Sequence, residues 1–466
     1  MNIKNVIFLV AAVCSVYVLS VLPLGCAQVG NPTGGPRDTI PPKLVTANPP
    51  NRTVNFKGNR ITFTYDEYVQ LVKIQDNLLI NPTPKITPNI DSKLKIITVR
   101  IRDTLRPNTT YRIDFGNAVA DINEGNALKN FTYLFSTGSY IDSLTCAGNV
   151  TIAETGKPDS TLLVMLYKDL DDSAVLKHKP AFTSRLDSAG NFVFYNLPGG
   201  KFNIFAIKDE SGQKMYSNEE MIFAFFDSAI YISDTTHRVQ LYAYQQVKPK
   251  PKGSSSNAKS TSASDKKLKF TSSIPAEHQD LLSPVLLEFN RPLKNFDSLK
   301  ITLTDTLFNP ISGVTVSLDT TGKRLSVQSN WLENTDYRLI IDKDFATDTL
   351  GVGWTKSDTV SFKTKKEADY GSISITFKNL EKFNNPVLEF VLSNVVVQSY
   401  PLTTAQWTAK FFKPGDYELR ILEDTNNNGV WDPGNYQLKL QPEKVYSIPK
   451  KINIRADWSN EKDIVL

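Results

Sequence analysis

Apolar and polar residues alternate with a period of two through much of the chain. Arg60-Ile-Thr-Phe-Thr-Tyr-Asp-Glu67 and Val285-Leu-Leu-Glu-Phe-Asn-Arg-Pro292 show it clearly. That period sends one set of side chains to a buried face and the other to water, as in a half-buried strand. Val, Ile, Thr, Tyr and Phe, which suit a pleated surface, are plentiful, and long runs of Ala, Glu, Leu and Lys are missing. The pattern predicts an all-β protein. At 466 residues it exceeds the roughly 250–300 that one core can organise, so three to five β-domains of about 100 residues each are expected.

The predicted strands recur in one order. Leu105 to Asp114 runs Leu-Arg-Pro-Asn-Thr-Thr-Tyr-Arg-Ile-Asp and is answered by Leu332 to Ile341, in each case an Asn-Thr turn with a Tyr opening the next strand. Tyr133-Leu-Phe-Ser-Thr137 is answered by Val360-Ser-Phe-Lys-Thr364. A second kind of unit follows each of these. Gly190 to Asp209 and Trp407 to Asp424 both read as strand, Pro-Gly turn, strand with alternating apolars. The expectation is a duplicated pair of β-sandwiches. Its boundaries fall at 41–138, 139–246, 268–365 and 366–466.

Between the halves, 247–267 is rich in Lys, Pro and Ser and carries nothing larger than Ala to bury after Val247. It cannot offset its ordering entropy, so it reads as a linker. The first 25 residues carry Lys4, an apolar stretch from Val6 to Val21 and then Leu22-Pro23-Leu24-Gly25 before Cys26. This reads as a signal peptide rather than a membrane span. Cys after Gly looks like a bacterial lipobox, with lipid attached to Cys26, although Pro23 stands where such boxes carry Leu. The competing reading is ordinary cleavage with a free thiol. A tether, 26–40, follows, rich in Gly, Pro, Asn and Thr. Of the three cysteines only Cys146 lies in the body, so no intrachain disulfide is expected. The net charge of +5 is small and partly in the linker, which argues against nucleic acid as a partner.

These residues also carry a resemblance. Pro32 to Pro42, the strand Phe63-Thr-Tyr-Asp-Glu67, the turn Asn108-Thr-Thr-Tyr111, the loop Asp121-Ile-Asn-Glu-Gly-Asn126 and Phe135-Ser-Thr-Gly138 resemble a Bacteroidetes outer-membrane lipoprotein family. Its hallmark is an SbsA-type bacterial Ig-like (Big_5-like) domain. Residues 268–365 resemble a diverged copy without the Asp-Asn-Glu-Gly-Asn loop and the opening Pro-Pro. Residues 139–246 and 366–466 resemble prealbumin-like, carboxypeptidase-regulatory-like sandwiches. The resemblance implies a place and a fold: a protein lipid-anchored in the outer membrane and engaged with an outer-membrane protein complex. Ala27 to Arg37 has no acidic residue, which favours the periplasmic face over the extracellular one without deciding it. A fold of this kind does not fix a function.

Candidate chemistry is sparse, and no enzyme is expected. His178, His237 and His278 fall in different modules, and no zinc, nucleophile-elbow or Ser-x-x-Lys pattern occurs. No cofactor is expected, with one qualification. Asp424, Asn426 and Asn428, then Gly429, the Val430 carbonyl and Asp432 follow the spacing of the first half of a calcium loop. Asn435 stands where the bidentate Glu belongs, so the site would be weak and structural. The competing reading is an Asn-rich turn bonding its own backbone. Asp-Ser/Thr followed by a small or aliphatic residue recurs, and resembles the O-glycosylation signal of exported Bacteroidetes proteins. It nominates Thr104, Ser143, Ser188, Ser228, Ser298, Thr306, Thr349 and Thr359. The same dipeptide also starts turns. For a glycan platform, Trp354 and Trp431 are the exposed aromatics expected, Trp331 and Trp407 being assigned to cores. The function expected is a non-catalytic scaffold or accessory subunit, the alternatives being a carbohydrate-binding lipoprotein and, remotely, a hydrolase with converging carboxylates.

Overall fold

The computed structural model describes residues 7, 9–13, 37–248, 267–274 and 278–466. Most of the signal segment, Cys26, most of the tether and residues 249–266 of the linker lie outside the described residues. The body is all-β, with strands from Leu44–Asn48 to Ser459–Val465 and helical turns of no more than four residues. It divides into two compact units. One comprises Met1–Leu79, Lys85–Leu105 and Ile113–Phe135, and the other Ile80–Pro84, Arg106–Arg112 and Ser136–Leu466.

The first module is an Ig-like sandwich. One sheet has the strand order Leu44–Asn48, Arg60–Tyr65, Ile96–Arg100, Asn89–Lys93, and a second has Leu79–Asn81, Thr110–Gly116, Phe131–Ser136. A short ribbon pairs Val69–Leu71 with Val119–Asp121. Period two delivers Ile61, Phe63 and Tyr65 to the core from one strand. There Phe63 meets Phe115 edge-on at 5.6 Å and Tyr133 at 5.1 Å.

The third module repeats this topology and adds the short strand His278–Gln279 to its second sheet. Its first sheet runs Phe270–Ser272, Val285–Phe289, Arg324–Gln328, Thr315–Leu318, and its second includes Ile301–Thr304, Asp336–Ile341 and Asp358–Thr364. Its ribbon pairs Leu293–Phe296 with Ala346–Asp348. The loop that the sequence resemblance finds absent from this copy has a counterpart. Buried Asp348 accepts N–H groups from Leu350 and Val352 at 2.9 and 2.8 Å. Asp121 likewise accepts from Glu124, Gly125 and Asn126. Although burial opposes it, those N–H groups hold the Asp121 carboxyl below its ordinary range.

The second and fourth modules share another topology. In each, a central strand pairs antiparallel on one side and parallel on the other. Leu144–Ile152 lies between Asn191–Leu197 and Val239–Gln245. Gly371–Lys378 lies between Gln406–Phe412 and Ser459–Val465. The second module is one continuous sheet whose remaining strands run Phe182–Arg185, Leu163–Tyr167, Gly200–Ile207, Ile222–Phe225, with Ile230–Ile232 also paired to Gly200–Ile207. It curls until its ends are joined, the Ser184 hydroxyl donating to the Val193 carbonyl at 2.9 Å. The fourth adds a sheet of Val395–Pro401, Pro386–Leu392, Gly415–Glu423 and Lys444–Ile454. Cys146 is buried in the second core, and burial pushes its thiol up to about 11. No helix among the described residues is long and apolar enough to cross a membrane.

The parallel pair in the second module depends on Gly148. A Cβ there would stand 2.1 Å from the Val239 carbonyl oxygen and 2.4 Å from the Phe192 ring. Gly148→Ala is therefore expected to destabilise this module by about 3 kcal/mol. Gly199→Ala, whose Cβ would meet its nearest atoms at 3.6 Å, should stay within roughly 0.5 kcal/mol. Urea unfolding followed by near-ultraviolet circular dichroism separates the two; equal midpoints for both variants would refute the packing argument.

Candidate functional site

The segment between the strands Gly415–Glu423 and Lys444–Ile454 gathers a set of hydrogen-bonded polar side chains. It begins with the proposed calcium loop. Asp424 is buried, and its two oxygens accept the N–H groups of Asn428 at 3.1 Å and Gly429 at 2.6 Å. Asn428 accepts from the Val430 N–H at 2.8 Å, and its amide donates to Asp432 at 2.7 Å. The Asn426 amide also donates to Asp432. The five sequence-nominated positions thus share one loop, in which Asp424, Asn426 and Asn428 accept the loop's own backbone N–H groups and Asp432 accepts the Asn426 and Asn428 amides. Among the described residues no three His, Cys, Asp or Glu side chains are grouped to hold a metal ion. The arrangement is an Asx-bonded turn, closed by short-range hydrogen bonds.

Sequence reasoning missed the residue that fastens this loop. Glu443 accepts from the Thr425 N–H at 2.7 Å, the Thr425 hydroxyl at 2.8 Å and the Asp432 N–H at 3.0 Å. Its carbonyl takes the Trp431 indole N–H at 2.8 Å. Glu443 lies beyond any local motif spacing, so nothing in the one-dimensional pattern marks it.

Beyond the loop, Asn435 and Leu440 exchange backbone hydrogen bonds at 2.8 and 2.9 Å, making a small hairpin. It carries Tyr436 into the aromatic cluster of the second module. Tyr436 is 6% exposed, with its ring 5.0 Å from Phe223, 5.1 Å from Phe225 and 5.8 Å from Phe205. Its hydroxyl donates to the Asp172 carbonyl at 2.8 Å. Lys439 lies over the Tyr436 ring at 4.1 Å and pairs with Asp172 at 2.6 Å. Gln441 donates to the Phe225 carbonyl and to Asp227, and the Val445 N–H to the Ala153 carbonyl. Two glycines allow this approach. A Cβ on Gly434 would stand 2.8 Å from the Tyr244 ring, and one on Gly156 2.4 Å from the Val445 carbonyl.

Charge sits beside the apolar contact. Glu389 and Arg420 are opposite each other on adjacent strands and both are buried. Arg420 lies 3.6 Å from Glu418, which pairs with Lys157 of the second module at 2.7 Å. The hydrogen bond from Lys157 holds the Glu418 carboxyl below its usual range. Burial pushes Glu389 up to about 7; Arg420 draws it down, and Glu154 across the contact adds to the rise.

The remaining nominated positions fall on the surface. Thr104, Ser143, Ser188, Ser228, Ser298, Thr306, Thr349 and Thr359 are all exposed. The neighbouring Asp is often the acceptor of a tight turn, as Asp187, Asp297, Asp305 and Asp348 are for the N–H two residues on. The tryptophan expectation needs correction. Trp354 is buried against Phe270, Phe289 and Phe345. Trp431 packs on Val387, Leu422 and Val445. Both loops fold back onto their sheets, so their aromatics fill gaps rather than face water. Trp458, 62% exposed, stands outside any core.

Comparison with known proteins places a bacterial Ig-like domain at residues 38–137. The chain therefore contains a module of that family. Nothing among the curated proteins matches. Solved structures that align include the Bacillus anthracis TIE protein, at 10% identity over 93% of this chain and 76% of that one, with a TM-score of 0.17. Another is BcpA, the major pilin subunit of Bacillus cereus, at 9% identity, 69% and 99% coverage and a TM-score of 0.17. A third is the N-terminal part of the bacterial S-layer protein SbsC, at 16% identity, 44% of each chain and a TM-score of 0.16.

Two outcomes follow from the geometry. With the Asp424 loop closed by its own N–H groups, about 5 mM calcium, above the ~1 mM range of extracellular modules, should leave the thermal midpoint unchanged; a rise reversed by chelator would assign the ion. For Glu389 the sign is set by its raised pKa. Its penalty is absent below the unfolded value, grows as pH rises towards about 7, and is constant above. Glu389→Gln should then gain about 1–3 kcal/mol over the natural chain at pH 8 and nothing at pH 4. A pH-independent difference in denaturant midpoint would refute it.

Proposed function

We propose that this chain is a non-catalytic scaffold or accessory subunit of an outer-membrane protein assembly, held to the membrane by lipid on Cys26. The observation that carries the reading is the use made of polar chemistry. Asp121, Asp280, Asp348, Asp424 and Glu443, five of the six buried carboxylates among the described residues, accept N–H groups that terminate strands and fasten loops, while the sixth, Glu389, faces Arg420. Joints between modules are treated the same way. Asn81 bonds both backbone groups of Thr183 at 2.8 Å, and Asp280 pairs with Lys413 at 3.1 Å while Tyr370 accepts the neighbouring Leu281 N–H. Such side chains position modules; they do not converge on a reacting atom.

The Ig-like domain supports a surface or structural role, and fold alone goes no further. Lipid attachment, the outer membrane and the Bacteroidetes relationship rest on the sequence resemblance. Glycan on the eight exposed Ser and Thr positions belongs to the same proposal. It is favoured by their exposure and by bare apolar neighbours such as Leu299, 88% exposed, for which packing offers no reason.

A gentle-detergent pull-down of the tagged chain tests the assembly: stoichiometric recovery of an outer-membrane β-barrel is expected, and recovery of the chain alone would overturn the scaffold reading. Intact mass of the purified chain tests the modifications. The expected value exceeds polypeptide plus lipid by whole sugar increments; a mass of polypeptide plus lipid alone would remove the glycan.

A further inference from the structure

An open sheet presents unpaired backbone N–H and C=O groups along its outer strands, and natural proteins guard such edges with charge, proline or cover. The two sheets of the fourth module have four outer strands, and three are guarded. Gln406–Phe412 carries Lys410 in water and runs into Pro414. Ser459–Val465 exposes Glu461, Lys462 and Asp463. Lys444–Ile454 exposes Pro449, Lys450 and Lys451, and its start is covered by the second module through the Val445 N–H bond to the Ala153 carbonyl. The fourth outer strand, Val395–Pro401, is bare. It has no charged residue, and its one proline stands at its last position. Pro386–Leu392 pairs with one side of it, and no strand among the described residues lies on the other.

The side chains of this strand carry the same signature. Val395, Val396 and Val397 are consecutive and exposed, and Leu392, opposite Val395 across the hairpin turn, is exposed as well. Branched aliphatic residues suit a strand with neighbours on both sides, and here one side is empty. The register passes from Gln398 opposite Phe390 to Val396 opposite Val391, so Val397 is an extra residue that bends the strand. On the inner face, half-buried Tyr400 of this strand meets half-buried Trp407 of the other sheet's outer strand at 4.8 Å. The rim of the sandwich is therefore apolar as well as unpaired. Because the opposite outer strand of the same sheet packs on the second module, Val395–Pro401 is where that sheet is open to growth.

We infer that the Val395–Pro401 edge is a strand-addition site whose occupant is an unfolded, uncharged segment of a partner polypeptide, joining the sheet antiparallel. Alternating N–H and C=O groups along an edge are satisfied by an extended backbone, which selects the ligand class. The direction follows from the sheet, in which every pair is antiparallel, the more stable ladder per residue. Three valines in water with no charge beside them select β-branched or aromatic residues opposite. A second copy of the chain fits poorly. Its own edge bears the same bulge, and two bent, preformed edges do not lie flat along seven residues. An unfolded segment follows the bend as it orders. The edge names a contact surface for the scaffold proposed above and rests on that reading for its place in an assembly.

The test uses the exported chain carrying Cys26→Ser and a synthetic probe, an uncharged peptide of alternating Thr and Val. N-methyl groups on alternate residues leave the probe one hydrogen-bonding edge and stop it stacking on itself. It should bind and slow amide exchange over residues 395–400, and a fully N-methylated version should bind at least about tenfold more weakly. Val397→Lys, a change at an exposed position that adds the missing charge, should weaken the probe by a similar factor and leave the thermal midpoint in place. No binding at about 1 mM probe would overturn the site. Equal binding of the fully methylated peptide would overturn strand addition, since no ladder would be involved. A dimer of the chain alone that Val397→Lys dissolves would overturn the partner segment in favour of a second copy. Binding to neutral phosphatidylcholine vesicles that the same variant abolishes would overturn it in favour of a lipid surface. The scaffold reading fails separately, by the pull-down with the natural chain, whatever the peptide does.

Discussion

Tyr436 is held where two requirements meet. Its ring completes a cluster of Phe205, Phe223, Phe225 and Tyr244 that the second module cannot close alone, while its hydroxyl reaches the Asp172 carbonyl. An aromatic with a polar tip suits a contact that is apolar at the centre and wet at the edge. The segment around it, from Asp424 to Val445, is arranged to suit that placement. Glu443 fastens the Asp424 loop, and the Trp431 indole is tied to the Glu443 carbonyl. Gly434 and Gly156 let the backbones close up, and the Val445 N–H continues the contact to the Ala153 carbonyl. Removing the ring would leave a cavity lined by four aromatics, and a shift of the hairpin by one residue would present Asn435 or Gln437 to an apolar pocket.

Elsewhere the chain solves one problem repeatedly. A strand entering a loop leaves N–H groups without ladder partners, and an Asp side chain at that point accepts them. Asp121, Asp187, Asp305, Asp319 and Asp348 all do this. For Asp187, Asp305 and Asp319 the hydrogen bonds also hold the carboxyl below its ordinary range. At Asp187, Asp297, Asp305 and Asp348 the recurrent Asp-Ser/Thr dipeptide is thus a turn device. By the same geometry it pushes the following hydroxyl outward, so turn formation and accessibility to modification are not competing explanations.

How much was legible in the sequence follows from the range of each interaction. Alternation in Arg60–Tyr65 and Val285–Phe289 is set by neighbours two residues apart, so it could be read directly. The recurring Asn-Thr-x-Tyr turns were readable for the same reason. Tyr111 and Tyr337 each accept an N–H from five residues back, Arg106 and Leu332. Trp354 and Trp431 failed because turn-like sequence says only that the backbone bends, not towards which face. The counterpart of the Asp121 loop was hidden because Asp348 keeps the accepting carboxylate while its neighbours change. Tyr436 and its pocket were invisible: the residues that meet there lie more than 200 positions apart, and no local period connects them.

The two repeats differ where they touch. After matching strands, one copy has a short loop that keeps Tyr216 within its own module, and the other has the Asx turn, the Glu443 anchor and a hairpin that delivers Tyr436 outside it. Had both copies kept the short loop, the pocket would lack its second tyrosine; had both acquired the hairpin, each would need a pocket on the other, and only a closed two-fold pair could satisfy them. One donor and one acceptor on a single chain is the arrangement that lets the pocket be filled without a partner. The same asymmetry fixes which module donates and which receives, and it explains why the Asp424 loop is so heavily bonded. It is the base from which the hairpin is aimed, and its own hydrogen bonds hold that base together.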